Sequence, residues 1–302
     1  MKTMRARFPV AGPTWPGGVE RPPIERRTGI DYDTAWARRP AARLGRALIV
    51  DQVVRPLVRI VAHPRVHGLD RLDQLDRLGE PVIFAANHHS HLDTPLLLSA
   101  LPDRWRHRTV VAAGADYFFT SRATGALSAL AMGAVPIERT RVSRRSADLV
   151  ADVLDQGWSL VIFPEGGRSP DGWGQDFRGC AAYLSLRCGH PVVPVHLAGT
   201  GRIMPKGARR PTLGTVDVTF GRPLRAADGE DARRFGARIE AAVAALADEH
   251  ATDWWSARRR AASGTTPALT GPDAPSWRRA WALGPRRARS GADERRRRAW
   301  PA

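Results

Sequence analysis

The sequence predicts an α/β fold, in which a mixed, mainly parallel sheet is flanked by helices and preceded by an N-terminal amphipathic helical element. From Pro81 onward, short apolar runs typical of buried strands alternate with longer segments of helical periodicity. Short polar motifs directly follow several of these runs, as in enzymes built on open α/β sheets. A chain of 302 residues is long enough to bury one full hydrophobic core.

Strands are expected where short apolar runs lie between turn-forming residues, at 82–86, 109–114, 134–138, 159–163, 192–197 and 215–220. Helices are expected where apolar residues recur every three or four positions, at 93–101, 118–131, 143–156, 177–188 and 233–250. This alternation predicts helices on both faces of the sheet.

The N-terminal amphipathic helix is predicted at 44–62, with a bend near Pro56. Its apolar face comprises Leu44, Ala47, Leu48, Val54, Leu57, Val58 and Val61. Its polar face comprises Arg46, Asp51, Gln52, Arg55 and Arg59. Two interpretations remain open: the helix lies in a membrane interface with its arginines near lipid phosphates, or it packs on the domain.

The chain divides into an irregular basic leader at 1–43, a folded domain at 44–252 and an Arg-rich tail at 253–302 that is expected to be disordered. The formal charge of +17 is concentrated outside the domain, with +5 in residues 1–44, +8 in residues 253–302 and +4 between them. Such termini favour an anionic partner, namely lipid headgroups or nucleic acid. A compositional bias explains them equally well, because Lys2 and Lys206 are the only lysines among 47 basic residues.

Cysteine usage favours a reducing, cytosolic setting. Cys180 and Cys188 lie eight positions apart on a predicted helix, so a disulfide between them would have to span about 12 Å. We find no apolar run long enough for a membrane-spanning helix and no apolar signal core at the N-terminus.

The motif NHHSHLD, at residues 87–93, carries the strongest chemical signal. It follows a predicted buried strand and places His88 five positions before Asp93, at the start of a predicted helix. An imidazole oriented by a carboxylate can remove a proton from a substrate hydroxyl. An N-terminal helix cap beside a solvated histidine is the alternative for an isolated pair. The density of histidine suggests metal binding, but the remaining histidines are scattered singly, and no metal site is expected.

Three further motifs follow in order: GAVPIER at 133–139, FPEGGRS at 163–169 and VPV at 193–195. With NHHSHLD, this series resembles the four motifs of glycerolipid acyltransferases of the lysophosphatidic acid acyltransferase type, over roughly residues 55–250. The resemblance implies a glycerolipid acyltransferase-like fold for the domain at 44–252. It also implies transfer of a fatty acyl group from acyl-CoA or acyl-carrier protein to the free hydroxyl of 1-acyl-glycerol-3-phosphate, which yields phosphatidic acid.

The resemblance also assigns residues to roles. His88 becomes the general base and Asp93 its orienting partner. Arg139 and Arg168 are expected to bind the acceptor phosphate, since a guanidinium forms paired hydrogen bonds with phosphate oxygens. Glu165 is expected to bind an acceptor hydroxyl or to hold an arginine in place. The remaining substrate-binding candidates come from the same motif: Gly166 and Ser169.

This chain departs from the family pattern at two positions, with Gly167 where threonine is common and Pro136 where others have phenylalanine. No cofactor or metal is expected. The expected partners are the lysophospholipid acceptor, the acyl thioester donor and an anionic membrane surface, with the enzyme peripheral on the cytoplasmic face of the cell membrane.

Two alternatives to this function remain. The acceptor could be another lyso-lipid or glycerol-3-phosphate, which the motifs do not distinguish. A non-catalytic, basic polyanion-binding protein is the alternative from another class, although no recognised nucleic-acid-binding motif is present and no nucleic acid partner is expected. The sequence lacks the G-x-S-x-G motif of serine hydrolases and the Gly-rich phosphate loops of nucleotide-binding proteins.

Overall fold

One sheet organises the computed structural model, which describes residues 28–138 and 143–283. Within these residues its strands are β1 (Pro64–His67), β2 (Ile83–Ala86), β3 (Thr109–Gly114), β4 (Ala134–Ile137), β5 (Ser159–Ile162), β6 (Val192–Ala198) and β7 (Val216–Phe220). Their order is β1-β7-β6-β2-β5-β3-β4. The β6–β7 pair is antiparallel and the other described pairs are parallel. The predicted mixed, mainly parallel sheet is therefore confirmed.

The described α-helices are α1 (Pro40–Ile49), α2 (Arg55–Ala62), α3 (Asp73–Leu78), α4 (Asp93–Ala100), α5 (Asp103–Arg106), α6 (Ala115–Phe118), α7 (Arg122–Met132), α8 (Arg144–Asp155), α9 (Cys180–Cys188), α10 (Thr200–Ile203), α11 (Ala232–Ala251), α12 (Trp254–Ala262) and α13 (Ser276–Leu283). Short 3₁₀ turns lie at Gly29–Asp31, Ala35–Arg38 and Leu69–Leu72. Cys180 and Cys188, at the two ends of α9, are both free.

The core lies on both faces of the sheet, because successive side chains of a strand point to opposite sides. Phe84 of β2 packs on one face in a cluster with α2 and α4, whereas its neighbour Ile83 packs on the other with α8, α9 and α11. All four residues of β2 are buried. Strands covered on both faces read as continuous apolar runs, which is why the sequence revealed them.

Strand β1 was not predicted. It pairs in parallel with β7 at the edge of the sheet, and its burial alternates between half-buried and exposed residues. A four-residue edge strand that begins with Pro64 has no apolar run to mark it.

The N-terminal helix is longer than predicted, since α1, a π-helical turn at Val50–Val54 and α2 follow one another without a break. The assignment of Arg46 to its solvent-facing side is wrong. Arg46 is buried, and its Nη2 donates to the carbonyl oxygens of Thr109 (2.7 Å) and Met132 (3.3 Å). Burial lowers the pKa of Arg46 to about 10. The helix thus packs on the domain through one side.

The opposite side of this helix exposes large apolar residues. Each of the following is more than half exposed: Leu44, Leu48, Val53, Leu57 and Ile60. We call them the apolar stripe. Several residues predicted to form one apolar face are therefore divided between the core, as for Val58, and the solvent, as for Leu57.

Helices occupy the end of the expected leader and parts of the tail that was expected to be disordered. Residues 40–43 belong to α1, and the ring of Tyr32 contacts that of Phe119 at 5.4 Å between centroids. In the tail, α12 begins at a cap in which Asp253 Oδ1 accepts the N–H of Ser256 at 2.9 Å. The tail was expected to be disordered because of its arginine-rich composition, so Asp253 was not recognised as a helix cap. Residues 1–27 and 284–302 lie outside the described part of the chain.

Candidate active site

Asp93 and His88 form a hydrogen-bonded pair where β2 ends and α4 begins. His88 Nδ1 lies 2.8 Å from Asp93 Oδ2, and the carboxylate is fully buried. The same oxygen accepts the backbone N–H groups of His89 (2.6 Å) and Ser90 (2.8 Å). Because a carboxylate can only accept, the proton of the imidazole resides on Nδ1 and Nε2 is left as a proton acceptor.

The imidazole of His88 lines a cavity and is fixed from several directions. Its ring stacks on Phe163, with centroids 4.2 Å apart and an interplanar angle of 21°. Its backbone N–H donates to Glu165 Oε1 at 2.8 Å, and its carbonyl accepts the N–H of Ser169 at 2.8 Å. The loop after β5 therefore holds the catalytic candidate that lies in the loop after β2.

Glu165 is 1% exposed, and its described hydrogen bonds are with His88 and Gln175. Oε1 accepts from His88, and Oε2 accepts the N–H of Gln175 at 3.0 Å. Burial raises the pKa of Glu165 to about 7, although these two hydrogen bonds oppose the shift. In the described residues Glu165 ties the loops after β2 and β5 together, and its expected contact with an acceptor hydroxyl or an arginine stays a prediction.

The other substrate-binding candidates of this motif divide between cavity wall and loop support. Gly166 and Gly167 line the cavity. Position 166 favours glycine because its φ is +70°, in a turn where its N–H donates to Phe163 O. Ser169 is buried, and its Oγ accepts the N–H of Gly172 at 2.7 Å. Ser169 thus supports the loop, in addition to its backbone bond to His88.

Arg168 also lines the cavity, where it forms no ion pair with a carboxylate in the described part of the chain. Burial lowers the pKa of nearby His91, and the charge of Arg168 lowers it further. Arg139 lies outside the described residues. Glu138, which precedes it, lines the same cavity and accepts hydrogen bonds from Ser143 Oγ (2.8 Å) and Ser146 Oγ (2.5 Å).

The cavity has a volume of about 340 Å³, within the range of ligand-binding pockets. Its wall is polar at His88, His91, Glu138 and Arg168. Much of the remaining wall is apolar, and it includes Val50, Val54, Leu98, Ile137, Ile162 and Phe163. The imidazole of His88 and the guanidinium of Arg168 thus border a largely apolar cavity.

Sequence reasoning missed three contributions to this site. Asn87 binds both the carbonyl (2.9 Å) and the N–H (2.7 Å) of Leu197, which ties the end of β2 to β6. Phe163 supports the His88 ring, and the π-helical turn adds Val50 and Val54 to the cavity wall. The position of Asn87 at a strand end could have indicated its role. The roles of Phe163 and of the π-helical turn depend on long-range contacts, which the sequence does not show.

The histidines that suggested a metal do not converge. His91 stacks on Tyr117, with centroids 6.0 Å apart, while His89 is largely enclosed beside Asp93. Across residues 28–138 and 143–283, no group of three His, Cys, Asp or Glu side chains is arranged to hold a metal ion.

Residues 63–198 match the family model described as Acyltransferase, and this stretch includes β1 to β6 and both loops of the site. Among curated proteins, the chain is 33% identical over 153 residues to the chloroplastic 1-acyl-sn-glycerol-3-phosphate acyltransferase of Brassica napus, covering 47% of this chain and 39% of that protein. It is 32% identical over 170 residues to an Arabidopsis thaliana chloroplastic enzyme of the same name, covering 53% and 43%. Over these stretches the chain is similar to 1-acyl-sn-glycerol-3-phosphate acyltransferases.

The matched stretch spans only about two fifths of the length of these curated relatives, 39% and 43%. Among solved structures, the chain resembles the 1-acyl-sn-glycerophosphate acyltransferase PlsC of Thermotoga maritima, with a TM-score of 0.53 and 21% identity over 75% of this chain and 82% of that one. This likeness concerns the fold.

Proposed function

We propose that the protein transfers a fatty acyl group from acyl-CoA or acyl-carrier protein to the free hydroxyl of 1-acyl-glycerol-3-phosphate, forming phosphatidic acid. The observation that carries the proposal is the His88–Asp93 pair on the wall of a largely apolar cavity. The names of the Brassica napus and Arabidopsis thaliana relatives support this acceptor.

In the proposed reaction, Nε2 of His88 accepts the hydroxyl proton while the hydroxyl oxygen attacks the thioester carbonyl carbon. The new C–O bond gives a tetrahedral intermediate, whose collapse breaks the C–S bond. The imidazolium then returns its proton to the leaving thiolate. Asp93 stabilises the imidazolium through the 2.8 Å hydrogen bond, and the reaction is balanced without a cofactor.

Arg168 is the proposed contact for the acceptor phosphate, because a guanidinium with no described carboxylate partner stands on the cavity wall beside His88. Arg139 remains a second candidate for this phosphate. The apolar cavity wall accommodates an acyl chain. Glu165, Gly166 and Ser169 contribute by shaping the loop that carries Arg168 and holds His88.

The substrates carry hydrocarbon chains, so we propose that the protein works at an anionic membrane surface, peripherally on its cytoplasmic face. The apolar stripe supports this docking, because large exposed apolar side chains on one helix face favour insertion at an interface. None of the described helices combines the length and apolar character required to cross a membrane.

The apolar stripe can be tested by vesicle flotation with a Leu44→Ser, Leu48→Ser, Leu57→Ser variant. At roughly 1 kcal/mol for each partly inserted leucine, binding to anionic phospholipid vesicles should weaken by about 100-fold. Leu213→Ser is a matched control, since Leu213 is 72% exposed and lies outside the stripe. Equal binding by both variants would remove the stripe from the docking surface.

The reaction is tested with purified full-length protein and a panel of acceptors: 1-acyl-glycerol-3-phosphate, glycerol-3-phosphate and lysophosphatidylinositol. Each is offered with acyl-CoA and with acyl-carrier protein, and products are identified by mass spectrometry. We expect phosphatidic acid to form fastest. Faster product formation with another acceptor would reject the proposed substrate, and no acyl transfer with any pair would reject the activity.

A further inference from the structure

The described part of the C-terminal segment returns to the loop that follows β5. The N–H of Gly174 donates to Leu269 O at 3.0 Å, and Trp173 Nε1 donates to Arg279 O at 3.1 Å. Arg279 Nε and Nη2 each lie 2.8 Å from Asp171 Oδ2. Residues 269–283 thus contact three groups of one loop: the Asp171 carboxylate, the Trp173 indole and the Gly174 backbone amide.

This contact is close-packed rather than incidental. A Cβ on Gly271 would lie 2.2 Å from the Trp173 ring, and φ of Gly271 is +74°. A Cβ on Gly174 would lie 3.2 Å from Leu269 O. Arg279 also donates from Nη1 to Pro272 O at 3.0 Å, which closes the segment on itself. We call residues 269–283 the strap.

The loop after β5, which the strap contacts, is also the loop that binds the backbone of His88. Gln175, directly after Gly174, donates its N–H to Glu165 Oε2 (3.0 Å) and its Nε2 to Gly167 O (3.0 Å). Glu165 Oε1 in turn accepts the N–H of His88. On the other side of the loop, Ser169 binds the His88 carbonyl and the Gly172 N–H. Two short hydrogen-bonded routes therefore join the strap to the backbone of His88.

We propose that the strap positions the catalytic loop, and that Arg279 and Asp171 are positioning residues for the transfer reaction. This inference rests on the proposed function. The strap lies outside the stretch 63–198 that matches the family model. Small displacements of a catalytic group lower the turnover rate steeply.

The test uses the full-length chain with Arg279→Ala. We expect kcat to fall about tenfold. Asp171→Ala should produce the same fall, and the double variant no further fall, because the two residues act through one contact. Arg279→Lys should recover part of kcat. Arg278→Ala is the matched control, since its guanidinium lies 5.0 Å above the exposed ring of Trp277. A kcat of Arg279→Ala equal to that of Arg278→Ala would overturn the proposal.

Hydrogen–deuterium exchange separates this inference from the proposed function, because it needs no substrate. Peptides covering residues 169–176 and 87–92 should exchange faster in Arg279→Ala than in Arg278→Ala. Unchanged exchange at 87–92 would overturn the strap even if the enzyme is active. Faster exchange in a chain that acylates nothing would retain the strap and reject the reaction.

Discussion

The loops that follow β2 and β5 use the same device with different outcomes. Each contains a buried carboxylate that accepts two backbone N–H groups: Asp93 from His89 and Ser90, and Glu165 from His88 and Gln175. Asp93 also has an imidazole partner, whereas the described contacts of Glu165 include no cation. The comparison shows one carboxylate that joins two loops through hydrogen bonds from amides and one that also orients an imidazole.

The difference extends to protonation. Burial raises the pKa of Glu165 from 4.5 to about 7, so the folded protein binds this proton more tightly than the unfolded chain. The contribution of Glu165 protonation to the free energy of unfolding is therefore complete below pH 4.5 and is lost as the pH rises through 7. The loss amounts to about 3 kcal/mol. Burying Glu165 in the loop after β5 therefore costs more stability as the pH rises from 4.5 to 7.

The largest effect should come from the imidazole that distinguishes the loops. His88→Ala removes the base, so kcat should fall by about 10²- to 10⁴-fold in the acyl-transfer assay. His67→Ala is the control, because His67 is exposed on β1 and pairs with Asp217. If His88→Ala keeps more than a few per cent of wild-type activity while His67→Ala is normal, the assignment of the base is wrong.

A smaller effect should come from the cation of the β5 loop. Arg168→Ala removes charge-assisted hydrogen bonds to the acceptor phosphate, so KM for 1-acyl-glycerol-3-phosphate should rise by about 10- to 100-fold. Steady-state kinetics with varied acceptor measure it. Arg187→Ala, which breaks an ion pair with Asp148 on the helix surface, should leave KM unchanged. An unaltered KM in Arg168→Ala would place the phosphate elsewhere.

The smallest effect concerns the carboxylate without a cation. Glu165→Gln cannot ionise, so its melting temperature should depend less on pH between 4.5 and 7 than that of the wild type. The two curves should diverge by roughly 6–12 °C across this window, as measured by calorimetry. Glu249→Gln, at a partly exposed carboxylate near Arg71, serves as the control. Parallel curves for Glu165→Gln and the wild type would contradict the raised pKa.

The sequence was most informative where a local pattern and a buried environment coincide. Strand β2 and the motif after it were both predictable, because an apolar run and an H-x₄-D spacing need no distant contact to be recognised. Strand β1 and the position of Arg46 were not predictable in this way. An edge strand shows no apolar run, and Arg46 is buried because two carbonyl groups distant in sequence accept its hydrogen bonds.

By itself, the sequence determined the α/β class, the strand ends that carry reactive groups and the pairing of His88 with Asp93. These features follow from short-range periodicity and from neighbours five positions apart. Only the tertiary structure decided that Glu165 ties loops together, that the N-terminal helix exposes its apolar stripe, and that residues 269–283 reach the β5 loop. Each depends on hydrogen bonds or packing between groups far apart in the chain, which residue spacing does not encode.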